Sequence, residues 1–237
     1  MLIHGVGSDA EYYQAAAGFL ADSFKVITYD RPGYSRSAPG RDGNTVAGQA
    51  AQTLALLEAL APEGAFVAAC SAGCLIACEL AARAPEKVRG LLLYEPPVSC
   101  DPEIRQELED FTGRLREMNE KRQAARSLLT FIEISGGYDS ESRSVSLDQQ
   151  RQDYINYQHF LDEEMDSIFG YPAECLAQLQ VPCTIAVGEK DPEGLFHRCG
   201  VSLAAQTGMP LVTACGYHNF PKDRPEAFAK LVKDVFS

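Results

Sequence analysis

Phe66-Val67-Ala68-Ala69-Cys70-Ser71-Ala72-Gly73-Cys74-Leu75-Ile76-Ala77 carries more structural information than any other stretch of this chain. Phe66-Val67-Ala68 is apolar and too short for a helix, so it reads as a strand. Leu75 to Ala84 is rich in Ala and Leu and stops before Pro85, the pattern of a helix. Ser71 therefore falls on a strand-to-helix turn. Such a turn strains its central residue, pushes the hydroxyl clear of the sheet and sets a helix N-terminus beneath it. Strand and helix pass close together there, and Ala69, Ala72 and Gly73 supply small neighbours.

On either side the chain alternates. Met1-Leu2-Ile3 reads as a strand followed by the loop His4-Gly5-Val6-Gly7, and Tyr12 to Ala21 as a helix. Lys25 to Asp30 reads as a strand running into Arg31-Pro32-Gly33-Tyr34-Ser35-Arg36-Ser37. Thr45 to Leu60 is amphipathic, with Val46, Ala50, Leu54, Leu57 and Leu60 at helical spacing. Val88 to Tyr94 is a continuous apolar strand ending in Glu95-Pro96-Pro97. Val181 to Val187 is another, followed by Gly188-Glu189-Lys190-Asp191-Pro192. Leu211 to Ala214 is the last, followed by Cys215-Gly216-Tyr217-His218-Asn219 and a closing helix opened by Pro225. Strand and helix in alternation predict an α/β fold, a mostly parallel sheet with helices on both faces.

Between Cys100 and Tyr171 the alternation breaks. Ile104, Leu108, Phe111, Leu115 and Met118 form a helical stripe that continues through Ala125, Leu129 and Ile132. Gly136-Gly137 ends it, a polar segment with four serines follows, and a second helical run covers about Leu147 to Phe169. Phe131, Tyr138, Tyr154, Tyr157 and Phe160 are candidates to line a pocket, although most of them read first as ordinary core between the helices.

Composition narrows the function classes. With 237 residues, 46% hydrophobic and 23% charged, the chain can bury a full core in one domain, or one domain with an insertion. A net charge of −12 opposes nucleic acid or anionic membranes as partners. The eight cysteines contain no C-x-x-C pair, so they read as small buried thiols in a reducing compartment and not as a metal site. No segment reaches membrane-span length and no signal peptide precedes the first strand, so the expected location is cytoplasmic.

Ala69-Cys70-Ser71-Ala72-Gly73 resembles the G-x-S-x-G nucleophile elbow of the α/β-hydrolase family, with Ala69 where the family usually has Gly. Asp30 to Ser37 is similar to that family's D-x-x-G-x-G-x-S turn, with Ser35 replacing the second Gly and Asp30 in a structural role. The resemblance covers nearly the whole chain. It implies a core over 1–98 and 176–237 and a helical cap over 99–175. It also implies a catalytic triad of Ser71, Asp191 and His218, in the family's chain order, with Glu189 a weaker acid candidate. Glu95, at a strand end, is an alternative acid, but reads first as a carboxylate held by neighbouring loop amides. His159 and His197 read as ordinary polar loop residues. The backbone N–H groups of Val6 and Ala72 are the implied oxyanion-hole donors. The family's usual antiparallel strand pair has no room before Met1, so either the protein starts at this strand, leaving an edge that makes a homodimer plausible, or residues precede it.

The implied chemistry is that of a serine hydrolase, most simply a carboxylesterase, acting on a small molecule without a cofactor. Serine is a weak nucleophile near neutral pH and needs a base such as His218, oriented by a carboxylate. Serine in place of aspartate at the elbow argues against dehalogenase and epoxide hydrolase activity. A thioesterase, lactonase or carbon–carbon bond hydrolase would use the same residues, as would a cofactor-free perhydrolase or haloperoxidase-like enzyme. A non-catalytic small-molecule receptor keeping the pocket is the remaining alternative.

Overall fold

The computed structural model describes residues 1–40, 44–135 and 146–237, with only the backbone of Cys175 and Ala177. After β1 (Leu2–Ile3), the chain forms a 3-10 turn over Ala10–Tyr13, capped by Asp9, and then α1 (Gln14–Leu20) and α2 (Val46–Leu60). Thr45 caps α2 by accepting the Gly48 N–H at 3.0 Å. Then follow β2 (Ala65–Cys70), α3 (Ala72–Arg83), β3 (Val88–Tyr94), α4 (Pro102–Glu120), α5 (Ala124–Ile134) and α6 (Leu147–His159). A π-helical turn over Phe160–Glu164 joins α6 to α7 (Met165–Phe169). The chain closes through β4 (Cys183–Gly188), α8 (Leu195–Thr207), β5 (Leu211–Ala214), α9 (Phe220–Asp223) and α10 (Pro225–Phe236).

The five strands lie parallel in the order β1-β2-β3-β4-β5. Because strand side chains alternate between faces, Val67 and Ala69 of β2, with Leu91 and Leu93 of β3, pack into one core with α2 and α3. Ala68, Cys70, Leu92 and Tyr94 enter the other, against α1 and α10. Both faces are covered, which is why β2 and the Leu91–Tyr94 part of β3 read as apolar runs, while Arg89 lies exposed near the start of β3. All the loops that follow the strands leave from one sheet edge, where ligand sites of such sheets gather.

Two expectations are corrected here. Lys25 to Asp30 does not form a full strand: a single parallel bridge joins Leu2 to Thr28, with the Leu2 N–H 2.9 Å from the Ile27 oxygen. Its neighbour β1 is two residues long, so no longer ladder can form. The apolar stripe of α4, buried at Leu108, Phe111 and Leu115, does not continue through Ala125 and Leu129. Arg122, at φ +53°, breaks the helix and resets its phase. As a result α5 buries Ala124, Ser127 and Phe131, while Leu129 is 68% exposed. The Gly136-Gly137 stop and the serine-rich segment lie outside the described residues. The helices between β3 and β4 share a third core built on Phe111, Phe131, Tyr157 and Phe160, which meets Tyr34, Leu195 and Phe196 of the sheet-bearing part.

Candidate active site

Ser71 is the junction of β2 and α3 and sits at φ +54°, ψ −129°, a conformation costly for a side-chain-bearing residue. Three features hold it. Its N–H donates to the Tyr94 oxygen at 2.9 Å, its carbonyl accepts the Cys74 N–H at 2.8 Å, and Gly73 lets the loop after β1 lie against the turn. A Cβ on Gly73 would stand 2.5 Å from the Ile3 oxygen and 2.8 Å from that of His4, so only glycine fits. Ala69, by contrast, points into the core between Ile3 and Leu93 in register, where its methyl is packed and fully buried.

His218 is buried in the loop after β5. Its Nδ1 lies 2.6 Å from Oε2 of Glu95, the first residue past β3. Glu95 itself has φ +48°, donates its N–H to the Ala186 oxygen at 2.9 Å, and uses Oε1 to accept the Gly188 N–H at 2.9 Å. One carboxylate thus joins the ends of β3 and β4 to the histidine loop. The Tyr94 hydroxyl ties that loop down from below, donating to the Tyr217 oxygen at 2.7 Å. With Nδ1 donating to Glu95, Nε2 is left as the imidazole's acceptor.

Asp191, expected as the partner of His218, does not hold that position. It lines a separate cleft with Glu107, Arg114, Glu193 and Arg198, where its carbonyl accepts the Gly194 N–H at 3.1 Å. The loop after β4 turns away at this point, and the Nδ1 site is filled by Glu95. Glu189 is exposed. The reading of Glu95 as a carboxylate held by loop amides describes only its Oε1. A sequence signal existed: a lone acid ending the wholly apolar run Leu91-Leu92-Leu93-Tyr94 is a charge that enters the interior only with partners.

Ala72 follows Ser71 in the chain, and Val6 lines the same cleft as Ser71. Ala72 is the first residue of α3, so its N–H has no acceptor within the helix. The Val6 N–H belongs to the Gly5–Val6 peptide, whose carbonyl accepts from His4 Nδ1 at 2.8 Å and from Arg31 Nη2 at 3.0 Å. His4 Nε2 accepts the Arg31 N–H at 3.1 Å, which specifies the Nδ1–H tautomer. Burial, aided by the Arg31 charge, holds the His4 pKa well below its ordinary value and keeps the ring neutral.

Ser71 and His218 open together into a cleft of about 1780 Å³. Its inner wall carries Gly5, Val6 and Tyr12, and the helices between β3 and β4 contribute Leu128, Phe131, Ile132, Tyr154 and Tyr157. Asp153 and Lys222 stand at the mouth, 3.9 Å apart. Of the aromatic candidates, Phe131, Tyr154 and Tyr157 line the cleft, Phe160 is wholly buried in the helical core, and Tyr138 lies outside the described residues. Among the described residues no helix is long and apolar enough to cross a membrane.

The chain is 27% identical to a zearalenone hydrolase of Cladophialophora bantiana, an alignment covering 98% of this chain and 85% of that protein. It is 29% identical to YraK, an uncharacterised hydrolase of Bacillus subtilis, over 92% of this chain and 81% of the other. The carboxylesterase CesB of Bacillus subtilis superposes with a TM-score of 0.71 at 20% identity, covering 99% of this chain and 81% of that one, a likeness of fold alone. The family model describing the alpha/beta hydrolase fold matches residues 1–192. Together with a parallel sheet that carries Ser71 on the turn from β2 to α3, this match means that the chain belongs to the α/β-hydrolase fold family.

Proposed function

We propose that the protein is a serine hydrolase of carboxylic esters in which Ser71, His218 and Glu95 form the catalytic triad. The observation that carries this reading is the cleft lined by both a strained Ser71 and a His218 whose Nδ1 is held 2.6 Å from a buried carboxylate. In the reaction, Nε2 of His218 takes the Ser71 proton as Oγ attacks the acyl carbon. The amides of Val6 and Ala72 receive the charge that develops on the acyl oxygen; one such donor is worth about 10²- to 10³-fold in rate. His218 then passes its proton to the departing alkoxide, leaving an acyl-serine. Water, deprotonated by the same nitrogen, releases the acid and restores the hydroxyl. Glu95 fixes the tautomer and balances the imidazolium.

The helices over 99–175 act as the cap of this site. They contribute Leu128, Phe131, Ile132, Tyr154 and Tyr157 to the cleft, beside the polar Ser135, Gln150 and Asp153, a wall that suits a bulky ester with a substantial apolar part. Zearalenone, the compound in the name of the Cladophialophora relative, belongs in the substrate panel for that reason. The test is labelling with a fluorophosphonate. Covalent capture at Ser71, abolished in Ser71→Ala and slowed in His218→Ala and Glu95→Gln, supports the reading. A folded wild-type protein that stays unlabelled and cleaves no ester refutes it and favours a ligand receptor.

A further inference from the structure

We infer that the buried Arg31–Glu164 ion pair is the positioning device of the oxyanion amide, through which the helical segment that lines the cleft sets the direction of the Val6 N–H. The inference rests on the hydrolase reading above. Both side chains are fully buried. Arg31 Nη1 bonds Glu164 Oε1 and lies 2.7 Å from Gln49 Oε1, while Nη2 reaches Glu164 Oε2 at 3.3 Å and the Gly5 oxygen at 3.0 Å. Tyr34 and Gln49 each donate to Glu164 as well.

The geometry of a trans peptide gives these contacts their consequence. The Gly5 carbonyl and the Val6 N–H belong to one planar unit and point in opposite directions. Donors gripping the carbonyl from inside therefore aim the N–H outward, to the Ser71 side. His4 Nδ1 and Arg31 Nη2 are those donors. A guanidinium can bridge a carboxylate and a carbonyl at once because its N–H groups are spread in a rigid plane, which an ammonium cannot copy.

Glu164 completes the link. It ends the π-helical turn Phe160–Glu164, an insertion that shifts the helix phase, and such turns gather at functional positions. Before that turn, α6 presents Asp153, Tyr154 and Tyr157 to the cleft. One continuous helical segment thus touches the substrate space on one side and, through Glu164 and Arg31, the back of the oxyanion peptide on the other.

The experiment compares wild type, Arg31→Lys, the paired Arg31→Met/Glu164→Leu and Tyr34→Phe. The paired change leaves no uncompensated buried charge, the condition under which loss of an ion pair is tolerated. Tyr34→Phe disturbs Glu164 but leaves the Arg31–Gly5 contact. Hydrolysis of 4-nitrophenyl butyrate, the rate of fluorophosphonate capture and the Ki of a trifluoromethyl ketone are measured on variants shown to be folded by circular dichroism. In Arg31→Lys or the paired variant, kcat and the capture rate fall by about 10- to 100-fold, the ketone binds more weakly by a similar factor, and KM moves less than about twofold. Tyr34→Phe, which removes one donor from Glu164 and leaves the Arg31–Gly5 contact, lowers kcat by less than Arg31→Lys does. A folded Arg31→Lys or paired variant with wild-type kcat and ketone affinity overturns the coupling alone. A wild type inert to the fluorophosphonate overturns the hydrolase reading and this inference with it.

Discussion

The Glu95 carboxylate lies 2.6 Å from His218 Nδ1 although the two residues are 123 positions apart, and both are buried. In the triad proposed above, a carboxylate so placed holds one imidazole tautomer and stabilises the imidazolium formed during reaction. Glu95→Gln presents an amide that no longer supplies that charge, so kcat falls by about 10³- to 10⁴-fold with KM little changed. Asp191→Asn, in its separate cleft, keeps kcat within about threefold. Steady-state kinetics of the two variants side by side decides between them; an equal loss in Asp191→Asn contradicts the assignment.

Gly73 touches the carbonyls of Ile3 and His4, and the space for a Cβ is absent. Gly73→Ala must push the loop after β1 away from the elbow, at a cost of about 2–3 kcal/mol. For a chain of this size that lowers Tm by about 5–10 °C. Activity falls further than stability does, because the same displacement moves Val6. Calorimetry and kinetics on the variant test both halves, and an unchanged Tm refutes the packing argument.

Asp30 shows a pH dependence of known sign. Burial alone would raise its carboxyl pKa. Hydrogen bonds from Arg36 at 2.6 and 2.8 Å and from the Ala10 N–H at 2.9 Å outweigh that and hold it at about 2, below the ordinary 3.8. A folded-state pKa below the unfolded one means stability present above about pH 4 and lost as pH falls toward 2. Urea unfolding of wild type and Asp30→Asn between pH 6 and 2 should show the wild-type advantage shrinking across that window. A constant difference would contradict the linkage.

The cysteines separate by burial. Desolvation pushes the thiols of Cys70, Cys183 and Cys199 up to about 12, and for Cys70 this outweighs the contact from the Tyr12 hydroxyl at 3.6 Å. Cys215 is exposed. Iodoacetamide at about pH 8 should modify Cys215 in the native protein and reach the other three only in denaturant. Peptide mass spectrometry reads this directly. Rapid native alkylation of Cys70, which borders the cleft beside Ser71, would contradict it.

Much of the architecture is legible in local pattern. The apolar runs at Val67 and Leu91, the small residues around Ser71 and the helical spacing of Val46, Ala50, Leu54 and Leu57 each act within a few residues, so strand, elbow and helix follow from backbone sterics and spacing. His218 could be singled out because a loop after the last strand must reach the same sheet edge as Ser71. The exposure of Leu129 was not legible, because one left-handed residue, Arg122, resets the helix phase and periodicity cannot cross it.

The choice of acid belongs to the same second kind. Glu95 and Asp191 both follow strands that end at one edge, and spacing along the chain treats them alike. Folding places β3 beside β4, lets Glu95 gain the Gly188 N–H and the His218 ring together, and turns Asp191 away with its loop. Likewise nothing in residues 160–164 announces that Glu164 will meet Arg31, 133 positions distant. Short-range sterics write the elements and their order; which charges face each other depends on desolvation and hydrogen bonding between segments far apart, and those exist once the core has closed.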